Sequence, residues 1–190
     1  HAAYSTTIAR ETEKVARRLS QEGVIGRFAV DFVVVRDGAD DWKPYAIEIN
    51  LRKGGTTAPF LILEFLVSGR FDWERSVFES PTGRGKFYVA DDHLESEVLR
   101  ALTPEDVLEV TVRNRLHYDH ATQKGVVYQM LSAVTECGRI GVTAVGDSPG
   151  EAEELWHKTR THLLEEATVA ARDTGLAPAG VLVGGAGGGA

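Results

Sequence analysis

Apolar residues recur every three or four positions at the start of the chain, and this spacing predicts a helix over residues 4–22. The apolar stripe consists of Ile8, Val15 and Leu19. Charged side chains occupy the other faces, which is typical of a helix that covers a core with one side. Ser5 or Thr6 is expected to cap the helix, and Gly23 is expected to end it.

Two β-rich segments follow and predict an antiparallel hairpin. Alternate positions are apolar in the first segment, residues 24–35, and the second segment covers residues 43–51. Between them, Asp37-Gly38 and the polar residues up to Asp41 predict a loose turn. The two segments are therefore expected to pair with each other.

The rest of the chain continues to alternate between helical and strand patterns. The predicted elements are a helix over 57–68, a strand over 77–90 interrupted at 81–85, two helices within 92–116, a hairpin of 125–135 and 139–145, and a helix from 147 to about 172. Thr103 is expected to cap a helix, because Pro104 follows it and Asp106 stands three residues on. Helices mixed with antiparallel strands predict an α+β fold, an antiparallel sheet with packed helices.

The helix over 57–68 is apolar nearly all round, so we expect it to be buried. An apolar helix of this kind could also form the contact surface of a homo-oligomer. From about residue 175 the chain is rich in Gly and Ala, which predicts a flexible tail over 175–190.

Composition narrows the function classes. The 190 residues are 43% hydrophobic and 26% charged, as in globular proteins, and the net charge of -7 argues against a nucleic-acid partner. No stretch is long and apolar enough to span a membrane. The single cysteine, Cys137, excludes an intrachain disulfide and fits a reducing compartment, so a cytoplasmic location is expected. Since the chain begins with His1 and not with Met, we expect a piece of a longer protein.

The second strand of the predicted hairpin carries the candidate chemistry. Strand alternation places Glu48, Asn50 and Arg52 on one face, and the opposite, apolar set is expected to face the core. That apolar set is Ile47, Ile49 and Leu51. If the hairpin turns near residues 39–40, Asp31 lies opposite or nearly opposite Glu48. Two carboxylates and one amide oxygen form a set of hard ligands suited to Mg²⁺.

The residues after this strand suit an anionic substrate. Arg52 could stabilise charge on a transferring phosphoryl group, and Lys53 could assist it. Exposed backbone N–H groups in the run Gly54-Gly55-Thr56-Thr57 suit a carboxylate or a phosphate. An exposed strand face without a functional site can show the same alternation of polar residues, so the residues by themselves do not exclude this alternative.

The spacing of these residues resembles a known family. Gly26-x4-Asp31-Phe32, followed by a hairpin and Glu48-Ile49-Asn50-x-Arg52, resembles the metal-binding end of the ATP-grasp superfamily. The longer strings at 23–32, 50–57, 125–130 and 141–143 are similar to the pheganomycin-type peptide ligases. This resemblance covers roughly residues 5–170.

The resemblance implies a role for each motif residue. Asp31, Glu48 and Asn50 would bind the Mg²⁺ (or Mn²⁺) ions that bridge the ATP phosphates. Arg52, the catalytic candidate, would contact the phosphates or an acyl phosphate, with Lys53 beside it. Residues 1–90 would be the C-terminal part of an ATP-grasp domain with its metal-binding hairpin, and residues 91–174 a family-specific C-terminal α+β subdomain.

The implied activity is an ATP-dependent carboxylate–amine ligase, which forms an amide through an acyl phosphate and releases ADP and phosphate. Its partners would be a small-molecule carboxylate and an amine or peptide, as in natural-product biosynthesis. The alternatives are another ATP-grasp chemistry, such as a carboxylate–thiol ligase or a dikinase, and a non-catalytic binding module.

Two departures from the family matter for the implied activity. In the family the nucleotide clasp lies upstream of these motifs, so this chain is expected to supply only part of the active site. Many relatives carry a histidine where this chain has Ala58, which bears on substrate specificity.

Other polar residues carry weaker signals. His117 and His120 stand in a loop and are interpreted as capping or packing residues rather than metal ligands. Arg84 and Lys86, in a glycine-flanked loop, could meet an acidic substrate or form an exposed hairpin.

Overall fold

The computed structural model describes residues 4–38 and 41–175. The helices are α1 (Ser5–Gln21), α2 (Thr57–Val67), α3 (Pro104–Arg113), α4 (Ala133–Cys137) and α5 (Pro149–Asp173), with a 3₁₀ helix at Glu97–Ala101. The strands are β1 (Ala29–Arg36), β2 (Trp42–Asn50), β3 (Arg70–Asp72), β4 (Val77–Glu79), β5 (Gly85–Glu95), β6 (Gly125–Gln129) and β7 (Arg139–Gly146). The predicted tail at 175–190 lies outside the described residues, except for Gly175.

The strands form two antiparallel sheets. β1 and β2 make a two-stranded hairpin, and the other five strands form a sheet in the order β3-β4-β5-β7-β6. Because β7 lies between β5 and β6, it brings together side chains that are far apart in the sequence. The mixture of helices and antiparallel strands confirms the predicted α+β class.

The main core lies between the five-stranded sheet and the helices that cover one of its faces. α5 packs against β5, β7 and the 3₁₀ helix, and α3 packs against α5. The buried members of this core are Leu94, Leu99, Leu102, Val107, Val110, Val126, Val134, Ile140, Val142, Ala144, Leu163 and Ala167. A second cluster forms under α2, where Leu63 and Val67 contact Phe78 and Val145.

Helix starts follow local sequence rules. Thr103 and Asp106 form the predicted capping box, in which each side chain accepts a hydrogen bond from the other residue's backbone N–H. At α5 the Ser148 hydroxyl accepts from the Glu151 N–H at 3.1 Å. The predicted cap of α1 is wrong, because the residue before the helix is Tyr4 and it makes no side-chain cap.

Three predicted elements differ from the structure. β5 continues to Glu95, so the first predicted helix shrinks to the 3₁₀ helix. The predicted strand over 125–135 ends at Gln129, since Met130 has a positive φ and α4 follows. The predicted burial of residues 57–68 holds for one stripe of α2 only. Phe65 on the outer side is 84% exposed, because no described element covers that side.

The predicted division at residue 90 remains a prediction. β5 runs across this position and pairs with β4 and β7 in the same sheet. Within the described ranges, none of the helices has both the length and the apolar character needed to cross a membrane.

Candidate active site

The hairpin register places the predicted metal-ligand residues together. Asp31 pairs directly with Glu48 across β1 and β2, and the next pair on the same face is Ala29 with Asn50. The Asn50 amide nitrogen donates a hydrogen bond to Asp31 Oδ2 at 3.1 Å. With its NH₂ group used in this way, Asn50 keeps its amide oxygen for another ligand.

A β-bulge sits directly beside this pair. Asp31 faces Glu48 while Phe32 faces Ala46, so Ile47 is left without a partner in the ladder. A bulge breaks strict alternation and twists the strand locally. Because of the bulge, Asp31 still pairs with Glu48, but the residues of β2 before Glu48 no longer alternate in step with those of β1 after Asp31.

The prediction that the apolar residues of this strand face the core is wrong for the described chain. Ile47, Ile49 and Leu51 are 65%, 45% and 56% exposed. Alternation separates the two faces of a strand but does not say which face is covered. Val33, Val35 and Tyr45, on the same face as Asp31, are also exposed. The hairpin therefore presents apolar and carboxylate groups side by side.

Arg52 and Lys53 follow the end of β2 and are exposed. Arg52 Nη1 donates to the Lys53 carbonyl oxygen at 3.4 Å, a long and weak hydrogen bond. No acidic side chain in residues 4–38 or 41–175 forms an ion pair with either residue. Both cations thus remain available to an external anion.

A closed turn connects Lys53 to α2. The Thr57 N–H donates to the Gly54 carbonyl at 3.0 Å, and the Gly54 N–H donates to the Thr57 hydroxyl at 3.0 Å. These bonds use two of the four predicted substrate-binding N–H groups. Those of Gly55 and Thr56 have no hydrogen-bond partner in the described part of the chain.

A cavity of about 240 Å³, called here the turn cavity, lies against this turn. Gly55, Thr56 and Pro59 line one side of it. Tyr88, Ala90 and Asp92 line the other side together with Gln129. Tyr88 and Ala90 share one face of β5 by strand alternation, and Asp92 lines the same cavity although the β5–β7 pairing is irregular between Asp91 and Leu94.

Sequence reasoning missed Asp92 and Gln129 because they come from distant strands. Gly141 of β7 lies between them, and an ideal Cβ at position 141 would stand 2.3 Å from Gln129 Cγ. The absence of a side chain at Gly141 lets Gln129 lie across β7. The only signal in the sequence was the spacing of residues 88, 90 and 92, which suggests that they share a face of one strand. This spacing does not reveal the order of the strands in the sheet.

Asp92 is held in a small polar network. His93 Nδ1 donates to Asp92 Oδ1 at 2.5 Å, and Arg139 Nε donates to the Asp92 carbonyl oxygen at 2.7 Å. Arg139 Nη2 also lies 3.2 Å from His93 Nε2, which fixes the ring with Nδ1 protonated. The hydrogen bond from His93 lowers the pKa of Asp92, against a smaller opposing effect of burial.

The chemistry of the donor set fits a hard divalent cation. Asp31, Glu48 and Asn50 offer two carboxylates and an amide oxygen at one end of the hairpin, and Mg²⁺ usually takes one or two carboxylates and completes its shell with water and phosphate. Among the described residues, no group of three or more His, Cys, Asp or Glu side chains could hold a metal. The hairpin set contains two carboxylates and an amide. It therefore suits a Mg²⁺ site in which water and phosphate supply the remaining ligands, rather than a site built from protein ligands alone.

The weaker sequence candidates lie elsewhere. His117 and His120 are exposed, and the His120 ring packs edge-on against Tyr118. The hypothesis that Lys86 meets an acidic substrate is wrong. Its ammonium is fully buried and bonded to Asp147 and to the carbonyls of Thr122 and Gln123.

Comparison with known proteins gives two matches. Residues 106–159 match the family described as the PGM1 C-terminal domain. Over 148 residues, 78% of this chain, the sequence is 35% identical to the L-propargylglycine--L-glutamate ligase of Streptantibioticus cattleyicolor. No solved structure matches the chain.

The two matches differ in extent. The chain spans 29% of that ligase's length, less than a third. The matched domain contains Gln129, Arg139 and Gly141 but not the hairpin. Together they confirm the resemblance found in the sequence: residues 106–159 match the PGM1 C-terminal domain, and 78% of the chain is similar to the L-propargylglycine--L-glutamate ligase.

Proposed function

We propose that this chain is the metal-bearing C-terminal part of an ATP-grasp ligase that joins a carboxylate to an amine. The observation that carries the proposal is the pairing of Asp31 with Glu48, with Asn50 bonded to Asp31. The similarity to an amino-acid ligase supports the reaction class. Because the chain spans 29% of that relative, the complete protein would supply the rest of the nucleotide site.

The reaction has two steps whose atoms balance. A substrate carboxylate oxygen attacks the γ-phosphorus of ATP, which forms an acyl phosphate and releases ADP. The nitrogen of a neutral amine then attacks the acyl carbon, phosphate leaves, and the amine loses a proton. Positioning and charge neutralisation are the main contributions expected of the protein.

The residues of this chain divide that work. Asp31, Glu48 and Asn50 would hold Mg²⁺, which when bound neutralises phosphate charge. Arg52, exposed and without an acidic partner among the described residues, would contact the transferring phosphoryl group, with Lys53 nearby. The free N–H groups of the turn would bind a carboxylate oxygen.

The test is a product assay on the complete gene product, supplied with Mg-ATP, amino acids and peptides, that resolves ADP from AMP. ADP and phosphate that appear only when a carboxylate and an amine are both present would support the proposal. AMP would contradict it in favour of adenylation or a dikinase. No turnover and no Mg²⁺-dependent nucleotide binding would contradict it in favour of a binding module.

A further inference from the structure

The turn cavity contains several polar groups that the protein itself leaves unpaired. In the described part of the chain, Asp92 Oδ2, the Gln129 amide and the Tyr88 hydroxyl have no hydrogen-bond partner. The N–H groups of Gly55 and Thr56 are also unpaired. Polar groups that converge on a cavity without protein partners are a usual feature of ligand sites.

Asp92 in this cavity and Arg52 beside it place one charge of each sign next to the turn. Asp92 Oδ2 lies 4.0 Å from an ideal Cβ at Gly55, so the carboxylate faces the turn. Arg52 Nη1 lies 3.9 Å from an ideal Cβ at the preceding glycine, Gly54. A positive group and a negative group therefore each lie close to the turn that carries the free N–H groups.

This arrangement is complementary to an α-amino acid, whose ammonium and carboxylate groups share one carbon. A carboxylate at the N–H groups of Gly55 and Thr56 would be near Arg52, and an ammonium beside it would be near Asp92. The cavity of about 240 Å³ lies below the range of about 300–1,000 Å³ that suits drug-sized ligands. It has room for a head group of this size.

We propose that the turn cavity binds the ammonium group of the amino acid that supplies the carboxylate, with Asp92 as its counter-ion and Gln129 as a further hydrogen-bond partner. This inference rests on the proposed function for the reaction, and it names the substrate class of the acid component. An ammonium held by Asp92 keeps its proton and is therefore a poor nucleophile. The site would thus separate the acid component from the amine that attacks it.

The surroundings of Asp92 suit this role. The bond from His93 holds Oδ1 and leaves Oδ2 free, and Arg139 orients the imidazole from its other nitrogen. A lowered pKa keeps the carboxylate charged at neutral pH. Tyr88 stays a neutral hydroxyl, because burial raises its pKa against a smaller opposing effect of Arg27.

The test compares amino acids with the same acids lacking the amino group. The probe pairs are L-glutamate with glutarate and L-propargylglycine with 4-pentynoate, and the readout is binding to the complete protein by calorimetry. Asp92→Asn keeps the shape of the side chain and removes its charge. We expect it to weaken binding of the amino acid by about 10- to 100-fold, the value of a charge-assisted hydrogen bond, and to leave the amino-free acid unchanged.

Glu95→Gln is the matched control, since Glu95 lies on the same strand, is exposed and does not line the turn cavity. It should leave both affinities unchanged. Gly55→Ala is a second variant, for the case in which Asp92→Asn does not fold. Its methyl group would stand in ordinary contact with Asp92 Oδ2 and take the place of the ammonium, so the amino acid should bind more weakly.

The outcomes separate this inference from the proposed ligase activity. Equal affinity of Asp92→Asn and the wild type for the amino acid, or no binding of either amino acid, would overturn the inference even if ATP is converted to ADP. Loss of the preference for the amino acid in Asp92→Asn would support it even if no turnover is found.

Discussion

The ammonium of Lys86 lies 2.6 Å from Asp147 Oδ1, and the lysine side chain is fully buried. It also donates to the carbonyl oxygens of Thr122 and Gln123 at 3.0 and 3.1 Å. Three acceptors satisfy the three donors of the ammonium, which is the condition for burying a lysine. This contact ties β5 to the loop before β6 and to the start of α5.

Replacement of Lys86 should therefore destabilise the fold. Lys86→Met leaves two carbonyls without their donor, and we expect the free energy of unfolding to fall by about 3 kcal/mol. Lys124→Met is the matched control, because Lys124 also contacts Asp147 but is 32% exposed, and it should cost less than about 1 kcal/mol. Urea denaturation measures both values. Equal losses in the two variants would contradict the role of burial.

The same contact predicts a dependence on pH. Burial alone would raise the pKa of Asp147, but the hydrogen bond and charge of Lys86, with Lys124, lower it below its ordinary value. A carboxyl group with a lowered pKa in the folded state contributes stability that is present above its unfolded pKa and lost as the pH falls through the folded pKa. The stability difference between wild type and Lys86→Met should shrink below about pH 4. Denaturation at pH 7, 5 and 3 would check this, and a constant difference would contradict it.

The metal-ligand assignment predicts a loss of activity without a loss of structure. Glu48 is exposed and Asn50 half-buried, so Glu48→Gln and Asn50→Ala should leave the unfolding temperature nearly unchanged. In the complete enzyme both should lower ATP turnover by about 100-fold or more, because each removes an oxygen that holds the charge-neutralising cation. Lys43→Gln, on the same strand, is the control. Full turnover in Glu48→Gln would rule out the assignment.

Arg52 offers a test of geometry. Arg52→Lys keeps the charge but loses the planar fork that binds two phosphate oxygens together, so turnover should fall at unchanged stability. Kinetics at saturating Mg-ATP would measure this effect in kcat. If kcat is unchanged, Arg52 acts as a simple surface charge.

Gly141 should couple energetically to Gln129. The Cβ of Gly141→Ala would meet Gln129 Cγ at 2.3 Å, and we expect a loss of about 1–3 kcal/mol in unfolding free energy. The loss should disappear when Gln129 is also changed to Ala, which a double-mutant cycle measures. Gly150→Ala, where the added methyl meets no atom within 4 Å, should not destabilise the helix. Additive effects of the two changes would contradict the contact.

Sequence alone predicted those features that depend on local rules. The Thr103–Asp106 capping box and the opposition of Asp31 and Glu48 follow from spacing along one or two adjacent segments. The outward position of Ile47 could not be predicted, because it depends on a bulge and on what covers the hairpin. The burial of Lys86 could not be predicted either, since its three hydrogen-bond acceptors lie at least 36 residues away in the sequence.

The turn cavity shows a further limit of sequence reasoning. Asp92 and Gln129 line the same cavity only because their strands lie on either side of β7, and strand order is not encoded in periodicity. Two short elements, β3 and α4, were missed because each has too few residues for a periodic pattern to stand out.

The continuity of β5 has a practical consequence for making chimeras of this chain with related sequences. A chimera that joins two parents at residue 90 would splice them in the middle of an 11-residue strand that hydrogen-bonds to a neighbour on each side. Two parent proteins of different sequence would then need the same register between β5 and both of its neighbours, β4 and β7. A crossover in the turn at residues 81–83 would instead transfer Tyr88, Asp92 and Gln129 together, so that a donor's turn-cavity face would move as one unit.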